Sequence, residues 1–94
     1  MTDDGVWIPD YPSLVGWFRQ ECCEAISDPK PSRWSTEERL YLLFAGWSLA
    51  KGYPYVSPAD FSFALTCIQG VPHKVTRRGD NMIKVRPLFV EGLS

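Results

Sequence analysis

Residues 35–88 carry two helix signatures, each with its own start and stop, followed by two short extended runs joined at Gly79-Asp80. That succession leaves few ways to close a core. Ser35 and Glu38 have capping-box spacing for the start of a helix, Lys51 suits a last turn, and Gly52 supplies a left-handed stop. Leu40, Leu43, Phe44, Trp47 and Ala50 form the inner stripe of this helix. Leu42, Ala45 and Leu49 widen that stripe, so the helix is predicted to be central and touched on several sides.

Ser57-Pro58 offers an N-cap followed by proline at the first helical position, and the next helix is expected to run to Gln69. Phe61, Ala64, Leu65 and Ile68 then have burial spacing, which leaves Ser62, Thr66 and Gln69 on the opposite face. Gly70 and Pro72 stop it. Residues 73–78 and 81–86 read as two strands, with Leu88, Phe89 and Val90 as a further edge.

Upstream, Pro12 opens a helix whose face is Leu14, Phe18, Cys22, Ala25 and Ile26, expected to end near Ser27 before Asp28-Pro29-Lys30-Pro31-Ser32. Residues 1–10 are acidic and read as a mobile arm, with Val6-Trp7-Ile8 apolar enough to dock. Residues 11–90 then form one domain. The expected core is Phe18, Leu40, Phe44, Trp47, Phe61, Leu65 and Ile68, because three amphipathic stripes in so short a chain have only each other to bury against. The predicted class is mainly α with a small β hairpin (α+β), a winged helix-turn-helix in which the last helix meets a DNA groove and the hairpin tip meets phosphate.

Ninety-four residues suit one domain, and four Trp, five Phe and four Tyr give large apolar area for few core positions. The net charge of -1 argues against strong nonspecific nucleic-acid binding, but its distribution is uneven. Residues 1–50 carry eight acids and four bases, whereas residues 51–94 carry six bases and three acids. Those six are Lys51, Lys74, Arg77, Arg78, Lys84 and Arg86. An asymmetric surface of this kind can steer an anionic partner even at near-zero total charge. Arg77-Arg78-Gly79-Asp80 suits a phosphate-contacting wing and equally suits a solvated hairpin tip.

The three cysteines, Cys22, Cys23 and Cys67, fit neither a disulfide framework nor a zinc-ligand spacing, and His73 is the only histidine. No metal or other cofactor is expected. Neither a glycine-rich phosphate loop nor a paired-carboxylate motif is present, so an enzyme is the least supported class. The longest apolar run is too short to span a membrane, and Met1-Thr2-Asp3-Asp4 lacks the features of a signal peptide. The chain is therefore expected to be cytoplasmic.

Trp17-Phe18-Arg19-Gln20-Glu21-Cys22-Cys23, Leu40-Tyr41, Trp47-Ser48-Leu49-Ala50-Lys51-Gly52, Ser57-Pro58-Ala59-Asp60-Phe61 and Ala64-Leu65 together resemble the C-terminal winged-helix domain of phage and plasmid primase-helicases. The resemblance covers roughly residues 14–88. It implies an accessory nucleic-acid-binding module of a mobile element's replication or regulatory system, without ATPase or primase chemistry. One departure is that residues 58–69 hold no Lys or Arg and include Asp60.

Two functions follow as expectations. The first is duplex DNA binding through Lys51, Ser62, Thr66, Gln69, Lys74, Arg77, Arg78 and Lys84. The alternative is a protein-protein interaction module, an adaptor or inhibitor on the same scaffold. Clustering of the bases with the Ser62, Thr66 and Gln69 stripe favours DNA; scattering favours the interaction module.

Overall fold

The computed structural model describes residues 9–90. Residues 1–8, with Val6-Trp7-Ile8, and the tail 91–94 lie outside the described residues, and with them most of the expected arm. Pro9 is buried, and Asp10 caps the first helix, its carboxylate accepting from the Ser13 N–H at 3.0 Å. That bond holds the Asp10 carboxyl below its ordinary value.

Helix α1 (Tyr11–Cys22) is shorter than its apolar pattern suggested. The chain turns extended at Cys23, and β1 (Cys23–Ala25) pairs antiparallel with β5 (Leu88–Val90). The Ile26 N–H donates to the Pro87 carbonyl at 2.8 Å, extending that pairing. A strand arriving from the far end of the chain thus satisfies backbone groups that a longer helix would have used internally.

After a single 3-10 turn (Pro31–Arg33), β2 (Ser35–Thr36) leads directly into α2 (Glu37–Ala50). The cap is Thr36 rather than Ser35, its hydroxyl accepting from the Arg39 N–H at 3.2 Å. Ser35 is held opposite Arg86 in the sheet, so the capping position moves one residue along. Gly52, at φ 76°, leads the chain out of α2 as expected.

Helix α3 (Pro58–Phe63), capped by the Ser57 hydroxyl, continues as a π-helical turn (Ala64–Ile68) closed by the Gln69 N–H donating to the Ala64 carbonyl at 2.8 Å. This wider turn advances fewer degrees per residue than an α-helix. Ile68, expected in the core on α-helical spacing, is consequently exposed, while Phe61, Ala64 and Leu65 are buried.

Strands β3 (Lys74–Arg78) and β4 (Asn81–Arg86) form the expected hairpin, with Gly79 at φ 63° in its two-residue turn. Strand β2 pairs with the other edge of β4, giving a three-stranded sheet in the order β2-β4-β3 beside the two-stranded β1-β5 pair. The described chain is therefore a small α+β fold of three helices and two antiparallel sheets.

Phe18, Phe44 and Phe61 meet at the centre, with Phe44 and Phe61 stacked at 4.9 Å and Phe18 edge-on to Phe44 at 5.4 Å. Leu14, Val15, Leu40, Leu65 and Val71 close around them. Trp47 is only half-buried, packed against Phe18 and Tyr53 at 5.6 and 5.5 Å. Helix α2 is not enclosed as its breadth of apolar residues suggested, since Leu42, Leu49 and Ala50 are all exposed. The core supplies neighbours for one side of the helix only.

The last residue of β4 contradicts its expected place in a basic surface patch. Arg86 is wholly buried. Its Nε donates to Glu37 Oε1 at 2.6 Å, Nη1 donates to the Val71 carbonyl at 2.8 Å, and Nη2 donates to Thr66 Oγ1 at 2.9 Å and Ser62 Oγ at 3.2 Å. One guanidinium thus joins the start of α2, both parts of the third helix and the sheet.

Truncation at the core and at this network should both be severe, for different reasons. Phe44→Ala is expected to lower unfolding free energy in denaturant by about 3–5 kcal/mol through lost burial and a residual cavity. Arg86→Ala should cost a similar amount, about 3–5 kcal/mol, by leaving Glu37 with Lys84 as its remaining ion pair and the Val71 carbonyl without its donor, and Arg86→Lys should rescue little because a point charge cannot reach all four partners. Stability of Arg86→Ala within about 1 kcal/mol of the natural protein would refute this role.

Candidate interaction surface

The third-helix residues expected to face a DNA groove all take part in hydrogen bonds within the molecule, Ser62 and Gln69 half-buried and Thr66 still exposed. The Ser62 hydroxyl accepts from Arg86 and from Lys84 Nζ at 3.3 Å and lies 3.4 Å from Glu37 Oε1, while the Thr66 hydroxyl accepts from Arg86. Gln69 is turned toward α1, where Arg19 Nη1 donates to its carbonyl at 3.2 Å and its side-chain oxygen at 3.3 Å. Exposed on the third helix are Pro58, Ala59, Asp60, Phe63, Thr66, Cys67 and Ile68, with no base among them.

The six bases do not form one field. Lys51 pairs with Glu21 at 3.3 Å beside α1 and lies 5.7 Å from the centre of the Trp47 ring. Lys84 pairs with Glu37 at 3.5 Å, and Arg86 is buried. Strand alternation sends Lys74 and Arg78 to one face of the hairpin and Arg77 to the other. On the first face Lys74 lies 6.0 Å from the Trp34 ring centre, and Arg78 donates to the Trp34 carbonyl at 3.3 Å. Arg77 donates to the Gly79 carbonyl at 3.2 Å within its own turn.

A different surface emerges on the outer side of α2. Its sequence is apolar almost all round after Arg39, yet the core covers only the side bearing Leu40 and Phe44. Leu42 and Leu49 are left 63% and 80% exposed. The linker after Gly52 folds back over this side, because Val56 is buried and its carbonyl accepts from the Tyr41 hydroxyl at 2.6 Å. Proline at 54 favours an extended linker, and Tyr55 stands 81% exposed at its crest.

Between helix and linker lies a mainly apolar cavity of about 230 Å³, floored by Phe44 and Ser48, walled by Tyr41 and Tyr53 and rimmed by Leu49 and Tyr55. The Ser48 hydroxyl is buried there with no hydrogen-bond partner among the described residues. Such a group costs about 1–3 kcal/mol of desolvation. Burial, reinforced by the neighbouring Tyr55 hydroxyl, pushes the Tyr41 phenol above its ordinary value, so it stays a neutral donor to Val56. Tyr41 also lines a second, more open hollow of about 520 Å³, where Glu38, Leu42, Pro58 and Met82 surround it. The two hollows thus lie on the same side of α2, with Tyr41 lining both.

The cysteines are poor nucleophiles where they are packed. Burial, with Cys22 adjacent, pushes the Cys23 thiol up to about 12 despite nearby Arg19, and burial and Glu21 raise Cys22. Among the described residues no three His, Cys, Asp or Glu side chains are grouped to hold a metal ion. No helix among them is long and apolar enough to cross a membrane.

No known protein family, curated protein or solved structure matches this chain. The resemblance to primase-helicase domains rests on the residues that carry it.

The exposed apolar stripe shows in the sequence as an excess, since Leu42 and Leu49 overfill the helix, but periodicity alone does not distinguish an exposed excess from a buried one. The hydroxyls at 62 and 66 stand one helical turn apart, a spacing that two contacts to one guanidinium can use. Because the Ser48 hydroxyl has no partner among the described residues, Ser48→Ala is expected to raise unfolding free energy by about 1 kcal/mol, helped by alanine's helix propensity. A loss of that size in denaturant melts would show that the hydroxyl has a partner. Iodoacetamide at mildly alkaline pH should modify exposed Cys67 first and Cys23 last, as peptide mass mapping of time points would reveal.

Proposed function

We propose that this chain is a protein-interaction module on a winged-helix scaffold, docking a partner polypeptide on the outer face of α2. The order helix, short strand, helix, helix, hairpin supports the scaffold, as does the pairing of β2 with β4 beside β3. The observation that carries the functional reading is that exposed Leu49 and Tyr55 border an apolar cavity, with exposed Leu42 in the neighbouring hollow on the same side of α2. Large apolar side chains grouped around a concavity and rimmed by polar residues mark interaction sites more often than isolated exposed leucines do. The role is that of an adaptor or inhibitor without catalysis. The resemblance drawn above suggests a replication or regulatory assembly of a mobile element as its setting.

Duplex DNA binding is the second reading, favoured by Lys74, Arg77 and Arg78 exposed on the hairpin. Against it stand the dispersal of the bases and the internal engagement of Ser62, Thr66 and Gln69.

Peptide-display selection against the natural protein should enrich sequences that are not retained by the Leu42→Asp, Leu49→Asp double variant. Both positions are exposed, so the variant should keep its melting temperature. In parallel, duplex affinity should be undetectable or weak at about 50 mM salt; if DNA binds instead, Arg77→Ala with Arg78→Ala should flatten the log affinity against log salt slope by up to about 1.8. Salt-sensitive duplex binding that depends on the arginine pair, with no peptide enriched, would reverse the order of the two readings.

A further inference from the structure

Strand β3 pairs with β4 along one edge, and no described strand lies along the other. Every second residue of β3 therefore turns its backbone N–H and C=O away from β4, and no backbone group of the described residues outside the hairpin bonds to them. Such an edge is a template for one more strand. Its side chains are open as well: all of Lys74–Arg78 except Thr76 are exposed, Val75 to 56%. Lys74, Arg77 and Arg78 are bases, and none lies within ion-pair distance of an acid among the described residues. Arg77 and Arg78 donate to backbone carbonyls, which leaves their charge unneutralised. Ser32 and Trp34 are bonded in this way to the Arg78 side chain and not to the strand's backbone. Asp80, in the turn, is the hairpin's only acid.

We infer that this edge takes an extended acidic segment of a partner protein as a further strand, in addition to docking on α2. No β3 residue lines either hollow on α2, so the two sites are distinct. The backbone edge selects a polypeptide, since its alternating donors and acceptors match another strand and not a sugar-phosphate chain. The three bases select acids. Lysine and arginine on an edge oppose a neutral or basic strand, whose addition desolvates or crowds their charge, whereas carboxylates opposite them remove that opposition. A second copy of this chain fails the same test: antiparallel β3-to-β3 pairing centred on Thr76 sets Lys74 of each copy opposite Arg78 of the other, like charges face to face. An antiparallel acidic strand instead places acids opposite Arg78, Arg77 and Lys74 at its first, second and fifth paired positions. The first and fifth then share one face and the second takes the other, as the alternation of β3 requires. An apolar residue at the fourth position covers Val75.

The probe is an acetylated, amidated heptapeptide, Thr-Glu-Glu-Thr-Val-Glu-Thr, titrated into isotopically labelled full-length chain at low salt and followed by amide chemical shifts. Saturable shifts are expected across Lys74–Arg78, with a dissociation constant on the order of 1 mM for so short a strand. Replacing all its Glu by Gln should weaken binding about tenfold, the combined scale of three exposed ion pairs. A version with Pro-Pro in place of Thr-Val keeps every charge but lacks, at one of those two positions, an N–H that the ladder needs, and should not bind. Arg77→Glu, at an exposed position, should weaken the original peptide without changing the melting temperature. A peptide with Lys in place of its second Glu should recover affinity for that variant.

Equal binding of the proline version would reveal charge attraction without strand pairing and overturn the proposal. The absence of saturation by about 10 mM, shifts confined to α2, or indifference to the charge swap would also overturn it. A mixed-sequence DNA duplex that shifts the same amides at lower concentration than the peptide would overturn it in favour of the duplex-binding reading. None of these outcomes decides the Leu42→Asp, Leu49→Asp selection, which tests docking on α2 alone.

Discussion

Arg86 is the constraint on which the rest of the structure depends. A guanidinium with no exposed surface must have its donors met by fixed acceptors, and here those acceptors come from elements that are distant in sequence. Glu37 opens α2, Ser62 and Thr66 belong to the third helix, and the Val71 carbonyl lies in the loop beyond it. Each bond therefore fixes the position of one element against β4. An apolar side chain of similar volume could fill the space, but it would not specify which helix face turns toward the sheet.

The same network removes polar groups from the surface and so shapes what the surface can do. With Ser62 and Thr66 committed to Arg86, the third helix presents Asp60, Phe63 and Ile68 outward. Glu37 is shared between Arg86 and Lys84, which neutralises one hairpin base while leaving Glu38 free of ion pairs with the described residues. Meanwhile the phenylalanine cluster is large enough to cover one side of α2 and no more. The apolar residues beyond it can be covered only by the returning linker, whose Tyr41 to Val56 hydrogen bond leaves a cavity beneath Tyr55.

Much of the architecture could be read from local chemistry. Proline located the starts of α1 and α3, glycine located the ends of α2 and of the third helix, Gly79-Asp80 located the hairpin turn, and the spacing of Phe61, Ala64 and Leu65 identified the buried face of α3. Departures cluster where a distant strand intervenes. Pairing with β5 ended α1 at Cys22 instead of near Ser27, and pairing of Ser35 with Arg86 shifted the cap of α2 to Thr36. The π-helical turn likewise carried Ile68 out of a stripe that regular spacing would have buried.

The amino-acid sequence alone determined the inventory: three helices of known punctuation, a glycine-turned hairpin, an aromatic core, and more apolar residues on α2 than one core can hide. Those properties follow from backbone preference and periodicity, which act within a few residues of each other. Tertiary structure alone decided where the charges and hydroxyls went. Whether Arg86 meets solvent or Glu37, and whether Ser62 faces outward or toward β4, depends on contacts between residues more than twenty positions apart. No local pattern encodes such contacts, because an arginine on a strand has the same intrinsic preferences whether its partner is a phosphate, a carboxylate or water.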